Sequence, residues 1–175
     1  MQKLSSELVG RPIVSVQSSQ HLGTLTGFVL SNEDLKIVAC TVAIPGTKNV
    51  HYLLPNDIRF FNAQKILVDS HQNLSEFADL VRYQHTITDN YMLIGKKVET
   101  TAGKKLGKVT SFLFDPAHYY VTKLGVTPPL FKKFLVTHLL IDRADIIETK
   151  KNTIIVKENV AKIKKSAPAV LPQRS

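Results

Sequence analysis

The sequence contains no tryptophan and a single cysteine, Cys40. One thiol excludes an internal disulfide framework and any zinc site built from several cysteines. No apolar run approaches the roughly 20 residues that a membrane-spanning helix requires. The opening residues, Met1 to Glu7, lack the apolar core of a secretory signal. A soluble, cytoplasmic protein without a transmembrane segment is therefore expected. Acidic residues are also scarce: 14 Asp and Glu stand against 23 Lys and Arg, for a net charge of +9. Apolar residues make up 43% of the 175. That excludes a wholly disordered chain and is enough to bury the core of one ordinary domain or two small ones.

The positive charge is unevenly spread. Residues 1–70 carry a net +1, residues 71–92 a net −2 and residues 93–149 a net +4. The last 26 residues carry +6, two thirds of the total. A near-neutral first half thus precedes a mildly basic second half and a cationic tail. This pattern points to local contact surfaces more than to a nucleic-acid-binding fold.

The chain also repeats itself. Leu8-Val9-Gly10-Arg11-Pro12-Ile13-Val14 matches Leu93-Ile94-Gly95-Lys96-Lys97-Val98-Glu99 at an offset of 85. Leu22-Gly23 matches Leu106-Gly107, and Phe28-Val29-Leu30 matches Phe112-Leu113-Phe114, both at 84. Asp57-Ile58 and Ile66-Leu67-Val68 match Asp145-Ile146 and Ile154-Ile155-Val156 at 88. The drift places about four extra residues in the second copy around Thr127–Leu139. The reading is a duplicated module.

Each copy consists of short β-branched and aromatic runs separated by Gly, Asn, Asp and Pro, the pattern of strands and tight turns. In the first copy the strands are expected at Ile13–Val16, Thr24–Leu30, Lys36–Ala43, Tyr52–Leu54 and Lys65–Val68. Gly23 and Gly107 fall where a hairpin begins or a bulge forms. About five short strands in some 65 residues bury a core only by curling into a small barrel. Between the copies, Asn73–Tyr83 places Leu74, Phe77 and Leu80/Val81 on one helical face. The expected organisation is mainly β. Residues 1–72 form a first barrel, 73–91 a helical linker that packs the barrels together, 92–158 a second barrel, and 159–175 a basic, disordered tail.

The run Leu93-Ile94-Gly95-Lys96-Lys97-Val98, followed by Ala102-Gly103-Lys104-Lys105-Leu106-Gly107-Lys108-Val109, Phe112, Asp115, the strand Val121–Val126 and Ile154-Ile155-Val156, resembles the PRC-barrel domain family. The first copy resembles it through Leu8-Val9-Gly10, Leu22-Gly23 and Tyr52-Leu53-Leu54-Pro55-Asn56-Asp57-Ile58. This small β-barrel is shared by the cytoplasmic part of the photosynthetic reaction centre H subunit and the C-terminal half of the ribosome maturation factor RimM. The resemblance implies two tandem barrels and an adaptor that docks on other proteins. It carries no catalytic residue. The Gly-rich first barrel of the ribosome factor has no counterpart here.

Motifs with chemical potential resolve mostly into structural ones. Gly103-Lys104-Lys105-Leu106-Gly107-Lys108-Val109 has three residues between its glycines, ends in Lys-Val and leads into a strand, so it reads as a basic β-turn and not a phosphate loop. The six histidines, His21, His51, His71, His85, His118 and His138, lack metal-ligand spacing. Asp142 and Asp145 offer paired carboxylates. Asp57 holds the place of Asp145 in the first copy, which favours a turn residue bonded to its own backbone. Cys40 sits among Val38, Ala39 and Val42, as a buried and inert thiol would. No catalytic set, cofactor site or metal site is expected, and the protein is not read as an enzyme.

Two surfaces stand out. Pro128, Pro129, Leu130, Phe131, Lys132, Lys133 and Phe134 form the loop where the second copy is longest, apolar and basic together. Two prolines keep it out of a ladder. If exposed, it suits a protein partner or a membrane interface; otherwise its aromatics fold back as core. Lys157, Lys162, Lys164 and Lys165 make the tail basic. Such a tail serves solubility or binds RNA or anionic lipid, though RNA reading would call for stacking aromatics, and none follows Phe134. The main expectation is a non-enzymatic adaptor docking on a protein through barrel loops. The alternative is an RNA- or ribosome-associated factor using the basic second barrel and tail. The oligomeric state is open.

Overall fold

The computed structural model describes residues 1–62, 64–129 and 138–161. The fold is mainly β and is built on two sheets, one of them a half-barrel. The first sheet comprises β2 (Pro12–Ser15), β3 (His21–Leu30), β4 (Ile37–Ala43), β5 (Val50–Leu53), β6 (Ile58–Phe61), β7 (Ile66–Val68) and β8 (Leu74–Ser75). Its spatial order is β6-β7-β2-β3-β4-β5-β8. The second comprises β9 (Lys97–Thr100), β10 (Lys105–Phe114), β11 (Val121–Thr127), β12 (Leu139–Asp142), β13 (Ile146–Thr149) and β14 (Thr153–Val156). It runs β13-β14-β9-β10-β11-β12 and carries β1 (Lys3–Leu4) beside β10.

The two orders are one order, strand for strand, over β6-β7-β2-β3-β4-β5 and β13-β14-β9-β10-β11-β12. Each sheet has one parallel pair at the same place, Ile13 opposite Ile66 in one and Val98 opposite Ile154 in the other. The bulges recur as well: Leu25/Gly27 and Val29/Leu30 on β3 answer Val109/Ser111 and Leu113/Phe114 on β10. A bulge adds one residue to a strand and turns the following side chains to the other face. Buried positions on β10 accordingly fall at Leu106, Val109, Phe112 and Phe114 instead of at every second residue.

Gly23 and Gly107 explain their own presence. A Cβ on Gly107 would lie 2.0 Å from the Thr127 carbonyl oxygen, and one on Gly23 would lie 2.7 Å from that of Ala43. Gly107 also has φ +142, a conformation that L side chains rarely adopt. The facing strand approaches too closely at this bulge for any side chain.

The linker departs from the helical expectation. Leu74 and Ser75 pair with Leu53 and Tyr52 as the edge strand β8. Phe77–Asp79 and Val81–Tyr83 are single 3-10 turns, and the helix α2, second after the one-turn α1 (Ser5–Leu8), begins only at Gln84 and ends at Asp89. The supposed apolar face is not buried as one: Leu80 is 5% exposed, whereas Phe77 is 42% and Val81 76% exposed. Strand pairing by Leu74 and burial of Leu80 override a weak helical pattern.

The sheets meet directly. Phe28 on β3 and Phe112 on β10, equivalent in the two halves, stand edge to face with centroids 5.5 Å apart. Phe114 adds contacts to Phe28 and Phe61 and stacks on Tyr119. Beside them Ile37 N–H donates to the Tyr119 carbonyl at 2.8 Å, and Val121 N–H donates to the Leu35 carbonyl at 3.0 Å. Ile37 and Val121 are equivalent, as are Leu35 and Tyr119, so these bonds exchange under a local two-fold axis. Leu35 and Tyr119 both take positive φ, 54° and 62°. Such a self-complementary contact is the kind that joins identical subunits, here within one chain.

The expected boundaries shift at both ends. Lys3 and Leu4 pair with β10, and the Ser5 hydroxyl accepts from the Phe112 amide at 3.0 Å, so the first residues complete the second sheet. At the other end Val160 is 2% exposed, within a turn from Glu158 to Ala161. The second unit therefore runs past residue 158, and the tail residues beyond 161 lie outside the described residues. Among the described residues no helix is long and apolar enough to cross a membrane.

Candidate functional site

Of the proline-rich loop, Pro128 and Pro129 are described and Leu130, Phe131, Lys132, Lys133 and Phe134 lie outside the described residues. The two prolines line a hollow of about 480 Å³ with Val98, Gly107, Lys97, Lys105 and Lys108. Of the tail lysines, Lys162, Lys164 and Lys165 lie outside the described residues. Lys157 is held 3.5 Å from Asp145 and donates its backbone N–H to the Asp145 carbonyl. Asp145 thus turns to a lysine instead of to its own backbone, while Asp142 pairs with Lys123. The two carboxylates serve separate ion pairs.

The histidines scatter. His118 lies 2.7 Å from Asp115, His85 3.0 Å from Asp89, and His51 3.9 Å from Glu76. The His118 hydrogen bond holds the Asp115 carboxyl below its usual range. No group of three or more His, Cys, Asp or Glu with metal-binding geometry occurs among the described residues. Cys40 is 1% exposed, and burial pushes its thiol up to about 12. A thiol so far from ionising is a core group and not a nucleophile.

The geometry that does stand out lies on the segment entering the second sheet. After α2 the chain turns at Asn90, φ 44°, and runs through Tyr91, Met92, Leu93 and Ile94 to Gly95. On one side of it is an apolar groove of about 560 Å³ at the junction of the sheets. Its lining contains equivalent pairs from the two halves: Val9 and Ile94, Thr26 and Thr110, Phe28 and Phe112. Val9 and Ile94 remain about half exposed at its rim, 45% and 42%, beside Met92 at 59%. The groove therefore straddles the local two-fold axis.

On the other side is a wider cleft of about 900 Å³ bordered by Lys96, Lys97, Lys108, Lys150 and Lys151. Lys96 is 6% exposed, lies 4.6 Å over the Tyr91 ring and donates to the carbonyls of Lys150 and Lys151. Burial lowers its pKa. It secures the β13–β14 turn and so fixes where Lys150 and Lys151 project. Lys97 and Lys108 face one another across β9 and β10. Like charges placed directly opposite are destabilising. Glu148 lies 3.7 Å from Lys150, and the carboxylate bordering the cleft, Asp89, is engaged by His85. Tyr91 borders both hollows; burial pushes its hydroxyl up to about 12, only partly offset by Thr149. That hydroxyl has no partner of ordinary hydrogen-bond geometry among the described residues.

Sequence reasoning passed over these lysines because they come from three separate stretches. The signal was present in the repeat. Where the second half has Lys96, Lys97, Lys108 and Lys150, the first has Arg11, Pro12, Thr24 and Asn62. The same fold forms without the lysine cluster, so the fold does not require it. Among curated proteins none matches the chain. Residues 90–162 match the family model of the PRC-barrel domain.

Proposed function

We propose that the protein is a non-enzymatic adaptor, two PRC-type barrels in tandem, that docks on a protein partner through the surface where the halves meet and the loops beside it. The observation that carries this is the open apolar groove rimmed by exposed Val9, Met92 and Ile94. Apolar side chains gathered around a concavity on the surface mark an interaction site. The three hollows are bordered mainly by lysines, hydroxyls, amides and apolar groups, with Glu99 and Asp89 as their carboxylates and no histidine or cysteine among the described lining residues. That lining supports binding over acid–base chemistry. Affinity purification of the intact, tagged chain from its host tests the reading. Partners should be recovered and lost with Val9→Glu/Ile94→Glu. Equal recovery from both would overturn a role for the groove. The same comparison with Phe131→Ala/Phe134→Ala tests the loop.

The lysine cleft favours a second reading, an RNA- or ribosome-associated factor. Affinity for RNA would then fall steeply with salt and weaken on truncation after Lys157. Binding indifferent to both removes it.

A further inference from the structure

We propose that the apolar groove and the lysine cleft are one site, and that its occupant is an acidic protein segment anchored by large apolar side chains. This rests on the adaptor reading and specifies the partner's chemistry. The two hollows adjoin across a single segment, since Asn90, Tyr91, Met92 and Ile94 border both. An occupant that crosses this segment meets Val9, Ile94 and Met92 on one side and Lys97, Lys108, Lys150 and Lys151 on the other. It must be apolar in one part and anionic in the next.

Charge complementarity narrows the choice. Four exposed lysines crowd one edge, two of them opposed across neighbouring strands, where they repel. The first half of the molecule builds the same strands with Pro12 opposite Thr24 at those positions. The repulsion is thus a feature of the second half alone, and an anionic partner relieves it. The chain's own C-terminal segment does not suit, because residues 159–175 contain four Lys and Arg and no acid. Nucleic acid is disfavoured because Tyr91, the aromatic residue lining the lysine cleft, already has the Lys96 ammonium over one face of its ring.

The test places a photo-reactive benzophenone side chain at Ile94, or separately at Lys108, in the full-length tagged chain within host cells. Mass spectrometry then identifies the cross-linked segment. Both positions should label the same protein segment, in which acids outnumber bases and at least two large apolar residues occur. The charge reversal Lys108→Glu/Lys151→Glu, at exposed positions, should lower the Ile94 adduct by more than about tenfold, the scale of like-charge juxtaposition. Folding of that variant is checked by its urea transition. A basic or neutral segment, different proteins at the two positions, or a yield unmoved by charge reversal overturns this inference and leaves the adaptor reading standing. Adducts only with RNA, with lipid or with a second copy of the chain, or none at all, overturn both.

Discussion

At the residue scale, the most perturbed groups are buried hydroxyls and a thiol. Their common direction sets how the protein responds to alkali. Burial pushes Cys40 from 9.0 up to about 12. Tyr91 and Tyr119 move from 10.0 to about 12 for the same reason, with Cys40 adding to the shift of Tyr119. In each case the unfolded chain releases its proton at lower pH than the folded one. The folded state then binds more protons, and stability falls as pH rises through that window. The stabilisation is complete below pH 9 and is lost progressively towards pH 12. Between pH 9 and 10 the thiol acts ahead of the tyrosines, at up to about 1.4 kcal/mol per pH unit. Urea unfolding of the wild type should show this decline, and Cys40→Ala should flatten it between pH 9 and 10. An unchanged slope in the variant would mean that Cys40 is not the group responsible.

Elements show what the sequence made legible and what it concealed. The internal repeat was readable because matched glycines and apolar residues recur at offsets of 84 to 88. Strand order, the parallel pair and the bulges then repeat with it. Such regularities are written in local chemistry, as Gly23 and Gly107 show by lying under a facing carbonyl. The linker departs from its helical spacing of Leu74, Phe77 and Leu80 because β5 offers Leu74 and Ser75 an edge to pair with, a non-local fact. The lysine cleft was concealed for a related reason: residues near 96, 108 and 150 join only through β9–β10 and β9–β14 pairing. The corrected linker makes a prediction that a continuous amphipathic helix would not. Leu80→Ala should cost roughly 2–5 kcal/mol, as for other buried leucines. Val81→Ser, at a position 76% exposed, should stay within about 0.5 kcal/mol of wild type. Urea denaturation of the two variants measures the difference, and equal losses would restore the helix.

For the whole molecule, the question is whether two similar sheets make two units or one. Residues of both sheets belong to one apolar core, which runs from Ile13 and Leu53 to Leu124 and Ile154. At its centre are Phe28 and Phe112, reciprocal backbone bonds near Leu35 and Tyr119, and a Tyr119 hydroxyl that donates to the Pro55 carbonyl at 3.1 Å. The N-terminal strand belongs to the second sheet although its chain continues into the first. Opening either half alone would expose the aromatic cluster and strand both partners of these bonds, at a cost that includes burial lost on the half still folded. The halves should therefore unfold together. Amide hydrogen exchange at Leu67 on β7 and Ile155 on β14, which occupy equivalent strands, should report the same opening free energy. Phe112→Ala, which removes a fully buried ring at the junction, should lower both values together by roughly 3–5 kcal/mol. If only the Ile155 value fell, the first sheet would be an independent unit and the shared core a contact between domains. Cooperative loss at both sites would instead make the axis-straddling groove a property of the intact molecule, because neither half alone would then stay folded to present it.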